Sequence, residues 1–306
     1  MPRAEKDGRP AVFHRETCRL CGARDVELAL PLAATPPADA YVPAARLGEV
    51  QERYPLDLYL CLSCGHAQLL DVVDPAVLFG DYIYVTTSSP GLVEHFRQYA
   101  ETLSSAAAPL TGKLAVDIGS NDGTLLRFLQ AKGMCVLGVD AAEQIARNAT
   151  ASGVDTIAGF FTSDLGRELR AERGAASIVT ANNVFAHADD LGDIADGVQA
   201  LLAPDGVFVF EVSYLVDLVQ GMVFDYIYHE HLCHHSVKPL QRFLTRHGME
   251  LIGAERVGTK GGSLRCTAQL AGGPRKPSPG VAELITIEDE MKLDKPETFK
   301  GLADRI

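Results

Sequence analysis

From residue 113 onward the chain alternates short apolar runs with stretches of helical spacing, and nothing else in it restricts the fold so tightly. Leu114-Ala115-Val116-Asp117-Ile118 is apolar enough to be a strand buried on both faces, and Leu125 to Leu129 follows at helical spacing. Further strands are expected at 136–140, 177–180 and 207–212. Helices are expected over 141–150, 163–172 and 190–202, the last stopped at Pro204-Asp205-Gly206. Strands separated by helices of this length predict an α/β fold with a parallel, doubly wound sheet. The end of the pattern differs in kind. A helix at 237–247 leads into Met249–Val257 and Ser263–Leu270, joined by Gly258-Thr259-Lys260-Gly261-Gly262. Five residues are too few for a parallel crossover, so this pair is a hairpin and one terminal strand runs antiparallel.

Ahead of this domain stand a charged leader (1–10) and two knuckles, Cys18-x2-Cys21 and Cys61-x2-Cys64, each followed by glycine (Gly22, Gly65). Four converging thiolates form a tetrahedral zinc site with no open position, which assigns the metal a structural role. A rubredoxin-like iron site would take the same ligands. His66 is expected to be a solvated neighbour. Pro31, Pro36, Pro37 and Pro43 mark the linker between the knuckles, and the module has little apolar content of its own. The expected divisions are a zinc-binding module over 1–80, a main domain over 81–270, and a linker with one charged helix over 271–306. A helical stretch near 91–108 leads into the main domain.

The segment Asp117-Ile118-Gly119-Ser120-Asn121-Asp122-Gly123 closes the first main strand and opens a helix, and Asp140 closes the next strand. In an open α/β sheet, ligands lie at the carboxyl ends of the strands, and an acid after the second strand can bind both ribose hydroxyls. A nucleoside-containing cofactor is therefore expected. The dinucleotide pattern would need glycines at 121 and 124, where Asn121 and Thr124 stand, so a nicotinamide-dependent nucleotide-sugar enzyme is the weaker alternative.

A second cluster, Tyr226-Ile227-Tyr228-His229-Glu230-His231-Leu232-Cys233-His234-His235, follows the 207–212 strand. It is expected to hang over the carboxyl edge of the sheet. Titratable groups packed this closely perturb one another and suit proton transfer. A zinc or iron site built from His229, His231, His234 and His235 is the other reading, although the H-E-x-x-H arrangement is absent. Strand-like alternation would put His229 and His231 on one side. His187 follows the 177–180 strand and reaches the same edge.

The net charge is −12, from 28 Lys and Arg against 40 Asp and Glu. Nucleic acid is thus not expected as a partner, because neutralising phosphates takes clustered basic residues. No apolar run approaches the ~18 residues of a spanning helix, and no secretory signal opens the chain, so a cytoplasmic protein without a membrane partner is expected. Seven cysteines, four of them in close pairs, favour metal thiolate over disulfide.

Taken in order, the two knuckles, Asp81-Tyr82-x-Tyr84, Asp117-Ile118-Gly119-Ser120-Asn121-Asp122-Gly123-Thr124, Asn182-Asn183-Val184-x-Ala186-His187, Tyr228-His229-Glu230-His231 and Gly261-Gly262-Ser263-Leu264-Arg265 resemble the sugar C-methyltransferases of antibiotic deoxysugar pathways. The glycine spacing is similar to motif I of class I S-adenosylmethionine methyltransferases, whose sheet ends in an antiparallel strand. The resemblance implies methylation of carbon 3 of a dTDP-linked 4-keto-6-deoxysugar, with S-adenosylmethionine as cofactor and structural zinc. It implies cofactor contacts from Asp117, Gly119, Asn121, Gly123, Asp140, Asn182 and Asn183. It also implies a catalytic set of His231 as base, with His229 as the alternative, supported by Glu230, Tyr228, His187, Tyr82 and Tyr84. Relatives carry a further C-terminal α/β domain, expected beyond Ile306, and Lys260 stands where relatives often have histidine. A zinc-bearing scaffold that has lost catalysis is the non-enzymatic alternative.

Overall fold

The computed structural model describes residues 11–38, 41–79, 84–107 and 109–306, so the leader at 1–10 and Tyr82 lie outside the described residues. The main sheet has seven strands: β1 (Leu114–Ile118), β2 (Cys135–Asp140), β3 (Thr156–Ala158), β4 (Ala176–Asn182), β5 (Leu202–Ser213), β6 (Met249–Val257) and β7 (Ser263–Leu270). Their spatial order is β6-β7-β5-β4-β1-β2-β3. β7 pairs antiparallel with both β5 and β6, and the other pairings are parallel. This is the class I S-adenosylmethionine methyltransferase fold. Because β6 runs with the parallel set, the 258–262 turn lies at the carboxyl edge, over the same crevice as the loops after β1, β2, β4 and β5.

The continuous apolar runs are explained by two-sided burial: Val116, Ile178, Val179, Val207, Phe208 and Phe210 are all fully buried. β3 escaped the sequence reading because its three residues are half exposed and carry no apolar pattern. β5 also starts earlier than expected, with a register shift between Leu202 and Val207 absorbing the Pro204-Asp205-Gly206 stretch.

After the short helix Pro75–Phe79, the helices among the described residues are α1 (Pro90–Ala107), α2 (Thr124–Gln130), α3 (Glu143–Ala151), α4 (Ser163–Arg173), α5 (Leu191–Leu201), α6 (Leu215–Gly221), α7 (Val237–Arg246), α8 (Pro279–Glu290) and α9 (Pro296–Ala303). Side-chain oxygens of Thr162 and Asp190 accept backbone N–H groups at the starts of α4 and α5. These two helices cross so closely that a Cβ on Gly166 would lie 2.4 Å from the Gly197 carbonyl oxygen. The C-terminal segment holds two helices where one was expected. Lys292 adopts φ 53°, and Pro296, which cannot continue a helix, begins the next. Buried Glu288 on α8 accepts hydrogen bonds from the Tyr214 hydroxyl and from the backbone N–H groups of Val237 and Lys238. It thereby caps α7 and ties the C-terminal helices to the end of β5.

The N-terminal module is less separate than its composition suggests. Its sheet comprises Val26–Leu30, Leu58–Cys61 and Ala67–Leu69, and Cys233–His234 adds a fourth strand beside the last of these. Leu58, Leu60 and Leu69 are buried in one continuous apolar cluster with β1, β4 and β5. The module thus packs directly against the polypeptide that carries the histidine cluster.

Candidate functional site

The two knuckles converge. Cys18 Sγ lies 3.7 Å from Cys64 Sγ and Cys21 Sγ 3.5 Å from Cys61 Sγ, with all four sulfurs within 4.8 Å of one another. Tetrahedral Zn–S bonds of about 2.3 Å require sulfurs about 3.8 Å apart, so the set fits zinc. Each knuckle closes through a hydrogen bond from the glycine N–H to the first cysteine carbonyl, and Gly22 and Gly65 both adopt positive φ. Without a cation the thiols conflict. The hydrogen bond from the Cys64 thiol pulls Cys18 down to about 5, the same bond pushes Cys64 far up, and burial pushes Cys61 up to about 11. A divalent ion removes that conflict. Among the described residues, no other group of three or more His, Cys, Asp or Glu side chains converges in this way. His66 is fully buried and stacks on His235 at 5.4 Å, not solvated as expected.

The loop after β1 has the shape of a small-molecule cradle. Gly119 (φ 68°) leaves no room for a side chain unless Val184 moves, since its Cβ would lie 2.2 Å from Val184 Cγ2. Gly123 and Asn121 also adopt positive φ. The Asp140 carboxylate accepts the backbone N–H groups of Asn121 (2.8 Å) and Ala142 (2.9 Å), which fixes the β1 and β2 loops relative to each other. Each of its oxygens retains a lone pair for a ligand hydroxyl. Asn182, at the end of β4, is buried with both amide atoms unpaired, and the buried Ser120 hydroxyl is unpaired too. Buried polar groups without partners are rare in folded chains, and a polar ligand at this edge would satisfy them. S-adenosylmethionine fits such a cradle.

Two expected cofactor residues are committed elsewhere through their side chains. Asp117 is buried and accepts the Thr180 hydroxyl at 2.6 Å, with burial pushing its carboxyl up to about 7. The Asn121 amide accepts from the Thr86 N–H (2.8 Å) and donates to the Tyr84 carbonyl (3.0 Å). With Asp122 accepting the Thr87 N–H, it pins the aromatic segment to the cofactor loop. Asn183 contributes its backbone N–H to the Glu211 carbonyl at 2.7 Å, leaving its side chain at the edge. Sequence reading missed the Thr86-Thr87 contact because it joins segments 35 residues apart.

The Tyr228-to-His231 string is a buried turn, not a strand, and this overturns the expected alternation. His229 donates to the Tyr54 carbonyl (3.1 Å) and meets the Tyr54 ring edge-on, facing the N-terminal module. His231 faces the other way. Its Nδ1 is 2.8 Å from the Tyr226 carbonyl, so Nδ1 carries the proton and Nε2 is left as acceptor, taking the Tyr228 hydroxyl at 2.9 Å. The His187 ring lies 5.0 Å from the His231 ring, centre to centre. Burial pushes His231 down to about 4 and His187 well below the usual histidine range, so both are neutral at pH 7. Glu230 is buried in the same turn. Instead of a solvated loop, the cluster is an internal wall: His234 and His235 are also buried. At the mouth, Lys260 Nζ lies 5.8 Å from the centre of the Tyr84 ring.

Three family profiles match the chain: a zinc binding domain over residues 18–79, a methyltransferase domain over 92–253, and a C-methyltransferase C-terminal domain over 258–306. The last begins at the turn between β6 and β7, ahead of the point where a C-terminal domain was expected. The C-methyltransferase NovU of Streptomyces niveus is 33% identical over 288 residues, 94% of this chain and 69% of NovU. Among solved structures, the CcbJ methyltransferase of Streptomyces caelestis matches at 14% identity and a TM-score of 0.46, covering 65% of this chain and 96% of CcbJ. Magnesium protoporphyrin IX methyltransferase of Synechocystis PCC 6803, with bound S-adenosylhomocysteine, matches at 18% identity and a TM-score of 0.45, covering 62% of this chain and 90% of that one. With its thiolate knuckles, its class I sheet and these matching profiles, the chain belongs to the S-adenosylmethionine-dependent C-methyltransferases that carry an N-terminal zinc-binding domain.

Proposed function

We propose that this C-methyltransferase acts on carbon 3 of a dTDP-linked 4-keto-6-deoxysugar, and that His231 removes the proton α to the ketone. One observation carries the assignment of the base. The hydrogen bond to the Tyr226 carbonyl fixes the proton of His231 on Nδ1, which leaves Nε2 as the basic nitrogen, its lone pair held by the Tyr228 hydroxyl until the acceptor's C–H takes that place. Carbon is a poor nucleophile, so an acceptor of this kind must first become an enolate. Burial keeps His231 deprotonated and ready to take that proton. Tyr228 orients the accepting face. His187, Glu230 and Tyr84 line the acceptor side, with Tyr82 assigned there by the resemblance alone.

S-adenosylmethionine, when bound, supplies an electrophilic methyl group on sulfonium. Asp140 would hold the ribose hydroxyls, the backbone of Gly119, Asn121 and Gly123 would pass beneath the cofactor, and Asn182 and Asn183 would meet it at the β4 edge. Zinc in the knuckles would hold the module against the Cys233–His234 strand without taking part in the chemistry. A nucleotide-sugar acceptor, a place in deoxysugar or antibiotic biosynthesis and a cytoplasmic setting belong to the same proposal; among the described residues, no helix is long and apolar enough to cross a membrane.

Deuterium exchange tests the reading directly. With a dTDP-4-keto-6-deoxyhexose and S-adenosylhomocysteine in D₂O, wild-type protein should exchange the carbon-3 proton. His231→Asn should slow exchange by about 10²–10⁴-fold, the usual contribution of a positioned base. His229→Asn should do much less. Loss confined to His229→Asn would transfer the role to that residue, and normal turnover in both variants would remove the base from this turn.

A further inference from the structure

The turn between β6 and β7 brings a cation to the place where the base works. Lys260 adopts φ 50°, a left-handed conformation costly for any residue with a Cβ. The turn that holds it there is fixed on several sides. The Gly262 carbonyl accepts the Tyr214 N–H, and a Cβ on Gly262 would collide with the Asp217 side chain on α6. Gly261 packs so tightly on Val223 and Tyr226 that an added Cβ would lie 3.1 Å from the former and 3.6 Å from the latter. Tyr226 is the residue whose carbonyl orients His231. From this seat the ammonium reaches over the Tyr84 ring. Its positive charge also helps to depress both His187 and His231, after burial. Two rings that flank the acceptor side thus feel the same cation, and the aromatic segment beneath it is bound to the cofactor loop through Asn121.

A base held down to about 4 is a weak one. Proton removal by such a group requires that the negative charge formed on the acceptor be stabilised elsewhere. We propose that Lys260 is the electrophilic partner of His231, receiving the carbonyl oxygen of the keto acceptor on its ammonium group and stabilising the enolate. This rests on the reading of His231 as base. In the step, the Tyr228 hydroxyl releases His231 Nε2, the α-proton passes to that nitrogen, the C–H electron pair becomes the new carbon–carbon π bond, and the carbonyl π pair moves to oxygen. Lys260 keeps all its protons and donates a hydrogen bond to that oxygen. The His231 imidazole and the ketone group both start neutral, so the step creates an imidazolium and an enolate while the lysine charge is unchanged.

Lys260→Met keeps the length of the side chain and removes the charge, and Lys260→Arg keeps the charge. Exchange and methylation with a dTDP-4-keto-6-deoxyhexose should fall by about 10²–10³-fold in Lys260→Met at saturating acceptor, as when one oxyanion donor is removed. KM should change little, and Lys260→Arg should recover much of the rate. S-adenosylhomocysteine binding should persist in both variants, showing that the fold is intact. Removing the cation also lets His231 hold a proton more easily, so the acid limb of the exchange profile should move to higher pH in Lys260→Met. A raised KM with unchanged kcat would instead make Lys260 a contact to the phosphates and overturn the proposal, as would unchanged kinetics. A wild-type protein that neither exchanges nor methylates the ketosugar would overturn the acceptor reading, and the lysine role with it.

Discussion

Acid should destabilise this protein through its buried histidines. Burial pushes His231 down to about 4, His234 to about 3 and His235 to about 4. In the unfolded chain each returns to about 6.5. Between pH 6.5 and 4 the unfolded state therefore binds more protons than the native state, and stability falls as pH falls. Asp117 acts in the opposite direction. Burial raises it to about 7, so as pH falls the native state gains a proton before the unfolded state does. From pH 7 to pH 5, linkage at about 1.4 kcal/mol per proton and pH unit gives a loss of about 1.8 kcal/mol for each histidine. The same arithmetic returns about 2.3 kcal/mol from Asp117, leaving a net loss of about 3 kcal/mol from these four groups. Against total stabilities of about 5–15 kcal/mol, that is a large fraction. Urea unfolding at several pH values, extrapolated to water, measures it. His234→Leu is the discriminating variant, because neither ring nitrogen of His234 has a hydrogen-bond partner to lose. Any packing change shifts the whole curve equally, while loss of the titrating group should cut the pH 7-to-5 difference by about 1.8 kcal/mol. A variant curve parallel to the wild-type curve would refute the reasoning.

Elemental analysis of protein purified without added metal should find one zinc per chain, and Cys61→Ser should lose it and lower the melting temperature, because the metal contributes folding free energy. Since Cys233–His234 pairs with Ala67 and Gln68, the same variant should also shift the His231 ring resonances, which a self-contained module would leave alone. Asp140→Ala should weaken S-adenosylhomocysteine binding by about 2 kcal/mol, roughly 30-fold by calorimetry, the scale of charge-assisted hydrogen bonds. Gly119→Ala should destabilise the fold by about 2–4 kcal/mol, from left-handed backbone strain and the overlap with Val184, as read by chemical denaturation.

Much of the fold was legible because its signals are local. The strands at 114–118, 249–257 and 263–270 matched the expected bounds to the residue, since each is an apolar or alternating run closed by glycine or charge. The antiparallel end of the sheet followed from the length of one turn. The metal ligands were equally readable, because two cysteines on a tight turn announce themselves through spacing alone. Orientation in three dimensions was not legible. His229 and His231 are two residues apart, and alternation would place them together; a turn sends one to the Tyr54 carbonyl and the other to His187. His66 and His234 look hydrophilic in sequence, yet both are buried where the strand from residue 233 joins the module sheet. Asn121 reads as a cofactor ligand from its place in the loop, and only the fold reveals its amide holding Tyr84 and Thr86. Sequence determines which elements form and which residues can carry charge or metal, since propensity, period and chelate spacing act within a few residues. The partners of the buried polar groups are decided by contacts between distant segments, where burial makes each unpaired group costly and the fold as a whole selects which pairs meet.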